Sequence, residues 1–312
     1  MKLGMIDLDT SHPGAWLPII RELGHDVVCV LDGGAIYPDG YAAEFAATHK
    51  VAKVARSVEE MVGLVDAAII HSANWDLHLQ RARPFIDARK PVLLDKPVVG
   101  NMRDAATLGE WMKQGTVVTG GSSLRWMFDV KEKIEAAGIR REDIHFAATG
   151  CGVDEFNYGI HAFAQLVGIM GPDVGWVRWL GERVQDEYEI TWLDGRRGIV
   201  VAGATPQWLP SWATVVTGKT VVQFAPDLKR IYRALLEHDL PILEGKAPVA
   251  DVNDLLAPEF VAIAGLQSKR ARGERITVAA LSVDHPGFDG AAFAAGYRAK
   301  QLPKYLESKQ KK

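Results

Sequence analysis

Short apolar runs alternate with amphipathic stretches through the first 120 residues. Residues 2–8, 27–31, 51–54, 67–70, 92–94 and 116–119 are apolar runs of strand length, each bounded by turn or charged residues. Between them, residues 15–23 place Trp16, Ile19, Ile20 and Leu23 at helical spacing, and residues 41–49, 77–89 and a segment from Asn101 or Arg103 to Met112 read as further helices. Pro13 suits a first helical position and Gly24 a helix stop. Ser57, with Glu60 three residues on, has the pattern of a capping box. Strands that are apolar on both faces and alternate with helices predict a parallel, doubly wound sheet of Rossmann type.

The pattern changes after Gly120-Gly121. Residues 129–137 read as a helix, 144–149 as a strand and 158–168 as a helix carrying His161. Mainly alternating runs follow at 176–180, 187–192, 197–202, 212–217 and 220–224, with Asp194-Gly195 marking a hairpin turn. This predicts an α+β unit with a mainly antiparallel open sheet. The expected division is residues 1–121 for a Rossmann-like dinucleotide-binding domain and 122–312 for the α+β domain, to which the family resemblance given below assigns substrate binding and oligomerisation. Trp176, Trp179, Trp192, Trp208 and Trp212 fall in the strand region and read first as core or interface residues, one or two as stacking surfaces for a sugar ring. The tail from residue 304 is basic and expected to fray.

Candidate chemistry begins at Asp95-Lys96-Pro97, which closes the run Val92-Leu93-Leu94. Charges at the carboxyl end of a buried strand suit the crevice where open α/β sheets hold ligands. Asp32 ends the second strand, where an acid faces the adenosine ribose hydroxyls and favours NAD over NADP. The glycine fingerprint after the first strand is absent, because Asp7, Asp9 and His12 stand at its three positions. Side chains there obstruct the approach of a pyrophosphate, and Asp9 or Ser11 is placed to cap the following helix and occupy the amides a phosphate would use. Three arrangements remain open at this point: the carboxylates turn away and NAD binds in a shifted pose, they join His12 and His71 around a metal, or the nucleotide site is lost. No compact metal-ligand spacing is present, so no metal is assigned. His71, His78, His145 and His285 read first as structural or surface residues.

With 312 residues, 48% hydrophobic and 24% charged, the chain has room for two ordinary domains, and a formal net charge of −3 gives no reason to expect nucleic acid or an anionic membrane as partner. Two cysteines, Cys29 and Cys151, make no disulfide framework. No apolar run reaches the ~20 residues that span a bilayer, and the chain opens on a strand with no signal peptide, so a cytoplasmic location is expected.

With these residues in view, the chain resembles the Gfo/Idh/MocA family of glucose-fructose and inositol-type oxidoreductases. Asp95-Lys96-Pro97 resembles the family's Glu-Lys-Pro, with Asn74 and His78 upstream. Gly159-Ile160-His161 resembles its Asp-x-Gly-x-His, with Asn157 in place of the Asp, and Arg125 its arginine at the start of the second domain. Residues 251–278 resemble its late helix. The resemblance implies an NAD(P)-dependent oxidation or reduction at a secondary alcohol or ketone of a sugar or cyclitol, with Lys96, His161 and Asn157 catalytic. Lys96 would hydrogen-bond the reacting oxygen, and because Asn157 cannot take a proton, the base role falls on His161 or Lys96. It implies a substrate site of Lys96, Arg125, Asn157 and His161, and an NAD site of Asp9, Thr10, Ser11, His12, Asp32, Ser72, Asn74, His78, Asp95 and Lys96. It also implies a homodimer or homotetramer through the second sheet. Because the glycine turn is altered, a non-redox lyase, hydratase or isomerase acting on a keto-sugar stands as the alternative, ahead of a scaffold that keeps only the fold.

Overall fold

The structure, a computed structural model, describes residues 1–310. Six strands, β1 (Lys2–Ile6), β2 (Asp26–Leu31), β3 (Lys53–Val54), β4 (Ala67–Ile70), β5 (Val92–Asp95) and β6 (Val118–Gly121), form a sheet in the order β3-β2-β1-β4-β5-β6. Every pairing is parallel. The central strands β4 and β5 are buried along their whole length, as a sheet covered on both faces requires. Its helices are α1 (His12–Glu22), α2 (Tyr41–His49), α3 (Val58–Val62), α4 (His78–Asp87) and α5 (Met102–Lys113). Local sequence sets their starts. Ser57 Oγ accepts the Glu60 amide and Asn101 Oδ1 the Asp104 amide. Glu60 does not complete the box, because its carboxylate accepts from the Arg56 amide instead. A 3₁₀ turn, Trp75–Leu77, precedes α4.

The second sheet joins β7 (Ile144–Gly152), β8 (Val174–Glu182), β9 (Asp186–Trp192), β10 (Arg197–Ala202), β11 (Leu209–Thr217), β12 (Val221–Phe224) and β13 (Ile276–Thr277) in the order β12-β11-β7-β10-β9-β8-β13. Only the β7–β10 pair is parallel. This is the mixed, mainly antiparallel sheet the alternating runs imply. Helix α6 (Ile160–Met170) lies on it, its apolar residues Ile160, Phe163, Leu166 and Ile169 sharing a core with Tyr188, Ile190, Trp192 and Val200. Helices α7 (Ile231–Leu243), α8 (Val252–Leu255), α9 (Ala257–Arg270) and α10 (Gly290–Gln310) follow. Helix α9 ends at Arg270, where the expected late helix runs on to 278. Residues 129–137 differ too: they form a π turn, Val130–Ile134, and a 3₁₀ turn, Glu135–Ala137, closed by Gly138 at φ +73°.

Two late helices return to the first sheet and shape the site. Leu235, Leu236, Leu240 and Leu243 of α7 share a core with Leu3, Met5, Trp16 and Leu93, and α7 packs on β5 and β6 beside α1. The tail expected to fray is the end of α10: the Tyr305 hydroxyl donates to Glu44 Oε2 at 2.7 Å, and Lys309 pairs with the same carboxylate. Residues 311 and 312 lie outside the described residues. No helix among the described residues is long and apolar enough to cross a membrane.

Candidate active site

A cavity of about 600 Å³ opens between the carboxyl ends of the parallel strands and the second sheet. It is lined by Thr10, Ser11 and His12 from the turn after β1, Lys96 after β5, Asn157, Tyr158 and His161 at the start of α6, Tyr232 of α7, and Phe293, Tyr297 and Lys300 of α10. Parallel strands all end on one edge, so residues 12 and 96, distant in sequence, arrive together.

Lys96 is buried. Its ammonium donates to the Asn157 carbonyl at 2.9 Å and to Asn157 Oδ1 at 3.1 Å. An ammonium has three donors, so one is left for a ligand oxygen. Burial lowers the lysine's pKa from its usual value, while the nearby Asp95 and Asp154 charges oppose that shift. His161 Nδ1 lies 2.7 Å from Ser122 Oγ, and the Tyr158 ring meets the imidazole edge-on at 5.1 Å. Burial, with the Lys96 charge adding to it, pushes His161 well below the usual histidine range. A neutral ring that donates from Nδ1 to Ser122 presents the Nε2 lone pair as a base. Lys96, Asn157 and His161 are therefore brought together as one cluster. Arg125 is not brought to this cavity. It is 6% exposed, its guanidinium donates to the Leu255 carbonyl at 3.0 Å and pairs with Asp254, and it stacks on Trp126 at 4.8 Å. It ties the chain after β6 to α8.

The turn after β1 carries two buried carboxylates. Asp7, at φ +58°, accepts from the Gly33 amide (2.9 Å), the Ser72 hydroxyl (2.5 Å) and Arg81 Nε (3.1 Å). It thereby binds the loops after β2 and β4 to α4. Asp9 accepts from the Ala73 amide at 2.8 Å, and burial with the Asp7 charge raises its pKa to about 7. Asp32 accepts from the Leu8 amide at 3.1 Å. The first turn of α1 offers few free donors: the His12 amide donates to Thr10 Oγ1 and Pro13 has no N–H. Neither Asp9 nor Ser11 caps the helix by its side chain. Asn74 caps the 3₁₀ turn before α4, and His78 is held between the carbonyls of Val98 and Ser72, at 3.0 Å from each. Asp95 Oδ1 takes the Lys96 amide at 2.7 Å, while its Oδ2 lies 2.7 Å from His12 Nδ1 and 2.8 Å from His71 Nδ1. Burial opposes ionisation of Asp95, but the two imidazoles hold its pKa well below the usual carboxylate range.

Helix α10 crosses the ends of β2 and β4. Asp76 Oδ2 accepts the Gly290 and Ala291 amides at its start, Ala294 is buried with Ile36 and Ala73, and Arg298 donates to the Gly34 and Ala35 carbonyls at 2.9 Å each. That edge is the switch-point crevice where doubly wound sheets hold dinucleotides. α10 is seated over that edge, and of the turn's amides those of Leu8 and His12 are engaged, by Asp32 and Thr10. Sequence reasoning missed Tyr232, Tyr297 and Lys300 as cavity residues, because their helices reach the site only through tertiary packing. It also left His71 as structural, although the strand end that carries it abuts Asp95.

Comparison with known proteins agrees with this architecture. The Gfo/Idh/MocA model, described as an oxidoreductase family with an NAD-binding Rossmann fold, matches residues 17–120. The match begins beyond the turn that bears Asp7, Asp9 and His12. Among solved structures, a putative myo-inositol dehydrogenase from Sinorhizobium meliloti is similar over 89% of this chain and 99% of its own, with TM-score 0.75 and 14% identity. A scyllo-inositol dehydrogenase from Lactobacillus casei with bound NAD(H) and scyllo-inositol is similar over 90% and 99%, with TM-score 0.73 and 14% identity. A UDP-N-acetylglucosamine 3-dehydrogenase from Acidithiobacillus ferrooxidans is similar over 87% and 97%, with TM-score 0.70 and 17% identity. At these identities the likeness is one of fold.

Proposed function

We propose, from the match of residues 17–120 to the Gfo/Idh/MocA oxidoreductase family, an enzyme of that kind that transfers protons at a keto or hydroxyl-bearing carbon of a sugar- or cyclitol-like substrate, without a resident dinucleotide. The observation that carries this reading is the course of α10 over the ends of β2 and β4, held by Asp76, Ala294 and Arg298. In this reading Lys96 binds the substrate carbonyl oxygen through its third N–H and stabilises the enolate that forms beside it. His161 Nε2 takes the proton from the adjacent, hydroxyl-bearing carbon and returns it to the former carbonyl carbon while the hydroxyl proton passes to the Lys96-bound oxygen, or the enolate expels a β-hydroxide that the protonated ring protonates to water. Asn157 holds the lysine, and Ser122 the histidine. The reaction class is accordingly lyase, hydratase or isomerase.

A dehydrogenase acting with NAD on the same class of substrate is the second reading, favoured by the family and by the pairing of a lysine with a histidine beside the strand end. It requires α10 to leave the crevice. Calorimetric titration of NAD and NADP into the purified full chain separates the two. The expected result is no binding up to about 1 mM, and a dissociation constant near 10 μM or tighter for either nucleotide overturns the first reading in favour of the second. If neither binds, deuterium exchange next to the carbonyl of keto-sugars and cyclitol ketones in D₂O should depend on Lys96 and His161. Exchange unchanged in Lys96→Ala and His161→Ala removes them from the mechanism.

A further inference from the structure

We propose that His12, His71 and Asp95 form a binding site for one divalent transition-metal ion, opening on the cavity through His12. The inference stands on geometry that neither functional reading uses. β1, β4 and β5 are adjacent strands, ~4.8 Å apart, and the end of the turn after β1, the residue after β4 and the last residue of β5 each supply one ligand-type side chain. His12 begins α1 just past β1, His71 follows β4 directly, and Asp95 is the last residue of β5. One ligand atom from each lies within 4.8 Å of the other two, and both imidazoles approach through Nδ1 toward the same carboxylate oxygen, at 2.7 and 2.8 Å. Cis ligands about 2.1 Å from a metal stand about 3 Å apart, so small side-chain rotations admit an ion.

The donor set is two imidazole nitrogens and one carboxylate oxygen. That set suits Zn²⁺, Fe²⁺, Co²⁺ or Ni²⁺ rather than Ca²⁺ or Mg²⁺, and three protein ligands leave coordination positions open. The supports expected around such a site are present. Asp95 Oδ1 is fixed by the Lys96 amide, and the His12 ring is stacked on Trp16 at 5.4 Å and braced by Tyr232 at 5.1 Å. A purely hydrogen-bonded trio accounts for less. It requires both Nδ1 atoms to carry protons toward one oxygen, and it leaves His71 Nε2 buried and without a hydrogen-bond partner. Metal on Nδ1 fixes the proton on Nε2, in a ring that meets Trp16 at 4.9 Å and 70°. Because His12 lines the cavity with Lys96 and His161, a ligand on the open positions would share the ion with those two residues.

The test uses the full chain, stripped with chelator and titrated with Zn²⁺ by calorimetry and with Co²⁺ by visible absorption. One ion per chain is expected, with affinity weakened by about 100-fold or more in His12→Ala and His71→Ala and unchanged in His145→Ala, a histidine outside the site. Circular dichroism checks that the variants fold, and the cobalt spectrum of the unaltered chain reads the ligand set directly if one does not. Absence of stoichiometric binding overturns the proposal. So does binding that survives both His12→Ala and His71→Ala, or that is lost in His145→Ala. None of these outcomes depends on whether a nucleotide binds.

Discussion

Deleting the guanidinium of Arg81 should destabilise the chain chiefly through Asp7. The Asp7 carboxylate is 1% exposed and accepts from Arg81 Nε at 3.1 Å, the Gly33 amide and the Ser72 hydroxyl. After Arg81→Ala it keeps two neutral donors and loses its counter-charge. Breaking a fully buried pair from one side costs about 3–5 kcal/mol. The Arg81 side chain is 23% exposed, so water replaces part of what is lost, and about 2–3 kcal/mol is expected. Asp7→Asn keeps an acceptor for Gly33 and Ser72, removes the charge and lets Arg81 turn to solvent, at about 1 kcal/mol. In that background Arg81→Ala should add less than about 1 kcal/mol, a coupling of about 1–2 kcal/mol. Urea unfolding of the four proteins, compared by midpoint, measures the cycle. Equal costs of Arg81→Ala in both backgrounds would refute the reasoning, because the arginine would then be serving the fold by some route other than Asp7. The outcome bears on function. Asp7 occupies the first position at which a dinucleotide turn uses glycine, and a strong coupling means that its side chain is committed to joining the loops after β2 and β4 to α4.

Two further predictions concern the elements around Lys96. Glu259 is buried, accepts the Val98 amide at 3.0 Å, and is raised by burial from 4.5 to about 7. A carboxyl raised in the folded state contributes stability that is complete below its unfolded pKa and is lost as pH rises through 7, by ~3 kcal/mol in all. Glu259→Gln should therefore flatten the decline in urea midpoint between pH 5 and pH 8, and an unchanged slope would show that the group titrates normally. Gly120 lies at φ +129°, and a Cβ there would stand 2.0 Å from the Leu94 carbonyl oxygen, a backbone atom that cannot move aside. Gly120→Ala should lower stability by about 2–4 kcal/mol through separation of β5 from β6; an unaltered melting temperature would contradict the close approach.

Elements whose signal is local were legible in the sequence. The six parallel strands, the two sheet classes and the Ser57 and Asn101 starts follow from periodicity and from capping side chains within a few residues. The cluster of Lys96, Asn157 and His161 was legible only through the family resemblance, since 61 residues separate the first two and nothing in composition joins them. Arg125 shows the limit of such transfer: the arginine stands at the expected place, yet Asp254 and the Leu255 carbonyl, more than a hundred residues on, draw it away from the cavity. Helix α10 had no signal of the usual kind. It contains Gly296 and Pro303, is mostly polar outside its alanines, and is held by Arg298, Tyr305 and an Asp76 cap rather than by an apolar stripe.

The same contrast explains why the turn after β1 was ambiguous. Loss of the three glycines shows only that a pyrophosphate can no longer lie against bare backbone, and a side chain that rotates outward would still leave a crevice. In the proposed reading, what matters is where the displaced volume goes. The Asp7 carboxylate is directed to the loops after β2 and β4, and α10 lies on the same two loops, so two unrelated segments converge on one crevice. Reverting the turn to glycine would remove one obstruction and leave the other. Asp7→Gly and Asp9→Gly together should accordingly fail to create a nucleotide site while Arg298 and Ala294 hold α10 in place.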